Sequence, residues 1–590
     1  MRNPCHLCGA TFEIPQNDLA FYAMISPTFG GKRQQIPPPT LCPSCRRQRR
    51  LAWRNEKKLY HRTCDFTKKP ILSIYSPDKS FTVYEQDAWM SDAWDPLSYG
   101  RTYDFSRPFF DQWNDLHHAV PLPSMNLRFQ NENSEYTNLS ARNKNCYMIF
   151  AGNDNEECEY STYIQRCHRA VDCFFTFDSE ICYECIDCYS CNRLFYSQYC
   201  RNCSDSALLI NCQGCSNCFG CVNLANQQYR VFNEPCAKEE YEDKVKAALG
   251  NRSFLKMAQL KVRELERSLP HKYLAGFGNE NVSGDHIFSS KNSHECFDVT
   301  YLEDCKYCVW MHQSKSCYDC YGWGLPGELG LENHLTGENF YNVQFSESCW
   351  GGVSDLLYCR YCLNGCSHCF GCIGLQHKEY CILNKQYTKE EYEELVPRII
   401  TQMKEQGSFG EFFPHALSPY GYNETVAQTY FPLSEAEVKN GGWPAGRSAA
   451  TKDETVAHLR QGFGGQPTLR AGWNWRTELL EEQKVMGKAG NVPNSIAEVS
   501  DSITQDTLAC SVTGRPYRII PQELKFYREI GVPVPTKCFD QRHLERIALR
   551  NPRELWKRKC GKCGKEMESS FQPSRPEHVY CEDCYLQSVY

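Results

Sequence analysis

Four CxxC pairs at the two ends of this 590-residue chain are the residues best suited to chemistry: Cys5/Cys8, Cys42/Cys45, Cys560/Cys563 and Cys581/Cys584. A CxxC sets two thiolates on one tight turn, and two such knuckles complete a tetrahedral four-thiolate zinc site. The glycines after Cys8 and Cys563 suit the turn. Four thiolates leave no open coordination position, so the expected role of zinc, about two ions per chain, is structural.

Positively charged segments follow. Residues 46–62 hold eight Lys/Arg and one Glu, and residues 541–559 hold seven Lys/Arg and two Glu. Both contain helix formers, and Arg46, Arg50, Arg54, Lys58 and Arg62 recur at i, i+4, which predicts one basic stripe along a helix. RLAWRNEKKLYHRTC (50–64) aligns without gaps with RIALRNPRELWKRKC (546–560), and Cys42 then falls on Cys538. Cys510-SVTG resembles Cys5-HLCG with Thr513 in place of the second cysteine. Residues 510–559 therefore read as a degenerate second copy of the N-terminal module. Cys64-DFTKKP has lost its second cysteine in the same way, to Thr67. Lys/Arg stripes release counterions from phosphate backbones, so Arg46, Arg47, Arg50, Arg54, Lys58, Arg62, Arg542, Arg546, Arg550 and Arg558 are candidate nucleic-acid contacts. The alternative is a basic face docked on the acidic remainder of the chain.

Elements must position these ends, and the middle of the chain is periodic. Cys158, Cys173, Cys188, Cys203 and Cys218 lie fifteen apart, and Cys185, Cys200 and Cys215 follow the same step. Glu157, Asp172, Asp187, Asn202 and Asn217 precede the first column. Such a unit is too short to fold alone and predicts a stacked parallel β-solenoid with a 15-residue coil, Asp/Asn capping its corners. Three readings of the coil cysteines stay open: packing ladders, zinc shared between turns (Cys185, Cys188, Cys200 and Cys203 as a further metal set), or disulfides. Related segments at 217–245 and 368–396 each run into an acidic helix start, with Thr388 and Glu391 spaced as a capping box.

The expected organisation is multidomain and mainly β, with terminal zinc-ribbon or treble-clef modules flanking two solenoid modules with helical caps. The segments are 1–64 (zinc module and basic helix), 65–128 (aromatic linker), 129–236 (solenoid), 237–275 (helical cap), 276–387 (second solenoid), 388–442 (cap and connector), 443–472 (flexible insertion), 473–509 (connector), 510–559 (degenerate zinc module) and 560–590 (C-terminal zinc ribbon). GWGLPGELGLEN (322–333) reads as a Gly-rich loop inserted into the second solenoid. The N-terminus has no apolar signal region and no stretch of about 20 apolar residues occurs, so reduced thiols, a cytoplasmic location and no membrane contact are expected.

CPSCRRQRR…RN (42–55), WDPLSYGRTYDFSRPFF (94–110), NCFGC (217–221), YCILNKQYTKEEYE (380–393) and CEDCY (581–585) carry a resemblance along nearly the whole chain. It resembles a group of uncharacterised multi-zinc-ribbon, Cys-rich proteins of small uncultivated bacteria, sometimes labelled as a CoA-transferase family. The resemblance implies architecture and zinc, and no activity. No phosphate loop, Ser-His-Asp pattern or HExxH is present. The expected function is a zinc-binding adaptor that contacts nucleic acid or the ribosome through its basic helices. The alternatives are a protein–protein scaffold without nucleic acid and, third, an enzyme with its site in a solenoid groove.

Overall fold

The computed structural model describes residues 1–127, 131–439, 473–477 and 492–589. The expected flexible insertion at 443–472 lies outside the described residues. The chain forms two compact units, Met1–Ser124 with Leu274–Arg476, and Met125–Tyr273 with Thr477–Tyr590. Each unit brings one terminal zinc module together with one Cys-rich central stretch.

The unit Met125–Tyr273/Thr477–Tyr590 is built on parallel ladders whose partners lie twelve residues apart: Thr162↔Phe174, Phe174↔Ile186, Ala170↔Cys182 and Cys182↔Leu194. The 15-residue period is therefore corrected to twelve. The reason is a shorter rhythm. Every third residue from Leu139 to Asn211, including Asp172, Phe175, Asp178 and Ile181, has φ near +50°. A single left-handed residue turns the chain at each corner, which gives four three-residue sides per coil. The residue after each corner points inward, so inward positions recur every three and match at fifteen as readily as at twelve. Stacked neighbours are those at twelve: Cys203 meets Cys215 and Cys188 meets Cys200.

Left-handed backbone is unfavourable for a residue with a Cβ. Hydrogen bonds between successive coils offset it. Asp172 N–H donates to the Glu159 carbonyl one coil back (3.1 Å), and Phe174 N–H to Cys185 one coil on (2.9 Å). The interior admits only small and medium side chains. Cys158, Ser161, Ile164, Cys167, Ala170 and Cys173 follow one another and are all buried. Serine and cysteine are used alike there. Ser161 Oγ donates to Ala170 O (3.4 Å), and Cys185 Sγ to Leu194 O (3.1 Å). Free cysteine suits this core as a small hydrophobe with a weak donor. None of the 38 cysteines forms a disulfide.

One buried group opposes the fold. Glu159 is 1% exposed, and its Oε2 has no hydrogen-bond partner. Burial, then Glu523 and Asp172, push its carboxyl up to about 9. The ordinary value of about 4.3 in the unfolded chain is lower. The native state therefore favours the protonated acid, and this group's contribution to stability falls as pH rises from about 4.3 towards 9. Glu159→Gln is expected to raise the thermal midpoint over wild type at pH 8, with the gap closing towards pH 4. Melting curves across that range check it.

The unit Met1–Ser124/Leu274–Arg476 carries a second parallel ladder. Its register is twelve at Phe297↔Val309 and thirteen from Ser314↔Gly327 to Leu357↔Phe370. GWGLPGELGLEN is not a loop. Tyr321–Leu331 is a strand of this ladder, and the coils around it are one residue longer. Each ladder ends in a short antiparallel return, Glu234–Pro235 and Lys385–Gln386, followed by helices Lys238–Leu249 and Lys389–Glu405. Thr388 and Glu391 form the expected capping box. The aromatic segment before the first ladder packs inside its unit. Trp113 donates its indole N–H to Tyr358 O (3.2 Å), and Phe109 meets Phe370 edge-on.

Candidate metal centres and the basic helices

Cys5 and Cys8 lie on a turn closed by Gly9 N–H to Cys5 O (2.8 Å), and Gly9 is left-handed at φ +71°. Cys42 caps helix Pro43–Leu51, which carries Cys45 in its first turn. The four Sγ atoms lie within 4.8 Å of one another, with Cys8 and Cys42 3.7 Å apart. A tetrahedral ion with zinc–sulfur bonds of about 2.3 Å needs sulfurs about 3.8 Å apart. Cys560, Cys563, Cys581 and Cys584 repeat the arrangement, with Cys563 and Cys581 3.7 Å apart. Burial works to raise the Cys560 thiol, but N–H groups of Cys563, Cys581 and Lys562 outweigh it and hold it at about 6, poised to ionise. Each four-cysteine set fits one zinc ion, two in all.

Cys185, Cys188, Cys200 and Cys203 are not gathered into one set with all four sulfurs within 4.8 Å of one another. Among the described residues only the two terminal sets gather three or more metal-binding side chains. The coil thiols point instead at carbonyls: Cys188 to Ile186 O (3.4 Å), Cys200 to Gln198 O (3.2 Å) and Cys203 to Cys212 O (3.4 Å). Burial pushes the Cys185 and Cys200 thiols well up; it works to raise Cys188 as well, but contacts from Cys185, Cys191 and Cys200 outweigh it and hold that thiol down.

The basic segments are the largest departure from expectation. The helices are short, Pro43–Leu51 and Phe539–Ala548, so no single stripe runs from Arg46 to Arg62. Tyr60–Thr63 is a strand, and Lys58 sits in a turn where its N–H bonds Asn55 Oδ1 (2.9 Å). The arginines turn inward. Arg46 is 2% exposed, and Arg50, Arg54 and Arg546 1% each. Arg46 holds Asp319 through Nε (2.9 Å) and Nη2 (2.7 Å). Arg50 bridges Asp319 (3.0 Å) and Glu332 (3.1 Å). Arg49 joins Glu332 (2.9 Å) to Glu411 (2.6 Å). Arg54 bonds Glu56 (2.6 Å) and lies over the ring of Trp310. Burial alone would raise the Asp319 carboxyl, but Arg46 and Arg50 outweigh it and hold it down.

The other unit repeats this with its own residues. Arg542 reaches Asp172 (2.6 Å) and Glu523 (3.3 Å). Arg546 reaches Asp172 (2.9 Å) and Glu184 (3.2 Å). Arg550 grips Asp187 with two bonds (2.8 and 3.1 Å). Arg47 stacks over Phe297 and Phe431, Arg62 bonds Phe81 O (3.1 Å), and Arg558 bonds Glu577 O (2.6 Å). Arg46, Arg50, Arg54, Arg542 and Arg546 are thus buried within the chain, each on a carboxylate of the chain itself, and not on a solvent-facing stripe.

Their acceptors were missed in the sequence. Asp172 and Asp187 stood out as a column, but as corner caps. They do occupy left-handed corners (φ +55°), and their carboxylates serve arginines. The usable signal was pairing by position. Asp172 and Glu184 sit twelve apart, one coil, to meet arginines four apart on a helix.

A family model described as "Probable treble clef zinc finger" matches residues 553–588. No curated protein matches the chain. Five solved chains match, among them a crystal structure from Desulfovibrio desulfuricans G20 of a protein assigned as an acetyltransferase. That match has 7% identity and a TM-score of 0.09, covering 48% of this chain and 82% of the other, and carries no inference. Among the described residues, no helix is long and apolar enough to cross a membrane.

Proposed function

We propose that this protein is a zinc-stabilised interaction scaffold whose stacked coils are two β-solenoid modules and whose partner is another protein. The observation that carries this reading is the inward commitment of the arginines: Arg46, Arg50, Arg542 and Arg546 spend their charge on Asp319, Glu332, Asp172 and Glu184. The outer corner columns support it. They alternate sign twelve residues apart, with Arg142 on Asp154, Arg166 on Asp178 and Arg193 on Asp205. A surface neutralised in this way offers rigid, regularly spaced polar contacts and little net attraction for a polyanion. The N-terminal zinc ion would hold the knuckle from which the arginine helix Pro43–Leu51 starts.

The test is fluorescence anisotropy of zinc-loaded protein with single- and double-stranded oligonucleotides of RNA and DNA at low salt. Affinities weaker than about 10⁻⁴ M, outside the usual non-specific range, are expected. Binding near 10⁻⁶ M that weakens linearly in log affinity against log salt would overturn the reading in favour of a nucleic-acid adaptor.

A further inference from the structure

Four knuckles, not two, share one backbone frame. They begin at Cys5, Cys64, Cys510 and Cys560. In each, the first cysteine's N–H donates to the carbonyl five residues on: Ala10, Lys69, Arg515 and Lys565, at 2.8–2.9 Å. In each, the residue four on returns its N–H to the first cysteine's carbonyl: Gly9, Lys68, Gly514 and Gly564, at 2.8–3.0 Å. All four of those residues are left-handed, with φ from +62° to +74°. In each, the residue after the first cysteine bonds the carbonyl two before a helix cap. The pairs are His6–Thr40, Asp65–Val83, Ser511–Thr536 and Gly561–Val579, at 2.9–3.0 Å. The caps that follow are Cys42, Glu85, Cys538 and Cys581.

Spacing agrees with the frame. Cys64 to Glu85 is 21 residues, as is Cys560 to Cys581, and Cys42 to Cys64 is 22, as is Cys538 to Cys560. The four ligand places at the second knuckle are thus Cys64, Thr67, Glu85 and Ala88. At the third they are Cys510, Thr513, Cys538 and Gln541. The polar contacts at these places are also equivalent. Cys42 N–H donates to Cys5 Sγ (3.2 Å) and Cys581 N–H to Cys560 Sγ (3.3 Å), and Glu85 N–H donates to Cys64 Sγ (3.1 Å). Where Cys563 and Cys581 sulfurs stand 3.7 Å apart, Thr67 Oγ1 donates to Glu85 Oε2 at 3.0 Å. Where Cys8 and Cys42 stand 3.7 Å apart, Thr513 Oγ1 and Cys538 Sγ are 4.0 Å apart.

We infer that the knuckles at Cys64 and Cys510 are latent zinc sites, in which side-chain contacts of Thr67 and Thr513 occupy the place of the ion. The chain then carries two copies of one tandem pair of zinc knuckles, one near each end. The N-terminal copy keeps the first site and has lost the second, and the C-terminal copy keeps the second and has lost the first. A frame that holds its shape without metal needs only its thiolates restored to take a tetrahedral, thiolate-preferring divalent cation.

The test is the full-length chain carrying Thr67→Cys, Glu85→Cys and Ala88→Cys, loaded with zinc under reductant and desalted. Three zinc ions per chain are expected against two in wild type. Cobalt titration should show a rise of about half in thiolate-to-cobalt charge-transfer absorption. If this variant does not fold, Thr513→Cys with Gln541→Cys decides the same question at the third knuckle. Two ions per chain in a folded variant, or more than two already in wild type, would overturn the inference.

Discussion

Replacing Arg50 by alanine is expected to destabilise the Met1–Ser124/Leu274–Arg476 unit by about 3–5 kcal/mol, the usual cost of stranding a buried charge. Arg50 is shared by Asp319, fully buried, and Glu332, 2% exposed, and Asp319 has Arg46 as its other cation. Removing Arg50 leaves two carboxylates in a site from which water is excluded, with three positive partners reduced to two. Arg546→Ala should act alike in the other unit, because Asp172 and Glu184 depend on it. Arg47→Ala is the control. Its guanidinium stacks on Phe297 and Phe431 and is only partly buried, so a loss near 1 kcal/mol or less is expected. Urea unfolding of zinc-saturated protein separates the two cases. A surface-facing basic helix would make Arg50→Ala and Arg47→Ala equally mild.

Zinc removal is the second large effect. Stripping both ions with a strong chelator under reductant is expected to unfold the terminal modules, since structural zinc binding provides about 10–16 kcal/mol of apparent folding free energy in isolated modules at pH 7. The loss should spread to the arginine contacts on the N-terminal side. Helix Pro43–Leu51 starts from Cys42 and holds Cys45, Arg46, Arg49 and Arg50. The coils should survive, because their cysteines donate to backbone carbonyls and need no metal. Hydrogen exchange read segment by segment is the check. Protection should vanish at residues 1–13 and 556–589 and persist at 162–219. Simultaneous loss of protection in the coils would mean that metal holds them together too.

Both effects bear on what could be read in the residues. The eight terminal ligands were legible because CxxC spacing is dictated by local turn geometry, which tertiary context does not alter. The repeat in the middle of the chain was legible as stacked β-structure and misread in step. Their inward residues repeat every three, and a three-residue rhythm is compatible with many coil lengths; only the ladder register selects twelve. The arginine stripe was legible as charge and not as direction. A basic helix face with Leu51, Trp53 and Leu59 among its residues looks solvated until its counterions are found, and those lie some 270 positions away at Asp319 and Glu332. The Gly-rich strand Tyr321–Leu331 was read as a loop because glycine marks turns in most settings. Here glycine makes room for close neighbours: a Cβ on Gly327 would stand 2.1 Å from the Phe340 ring.

The most direct test of the account is the metal content of the purified wild-type chain, kept reduced and counted per polypeptide. Two zinc ions are predicted, one in each terminal four-cysteine set, with the coil thiols free and titratable after denaturation. Four or more ions per chain would contradict it, because the coil cysteines would then be ligands and not packing. A chain that folds with none would contradict the zinc centres themselves.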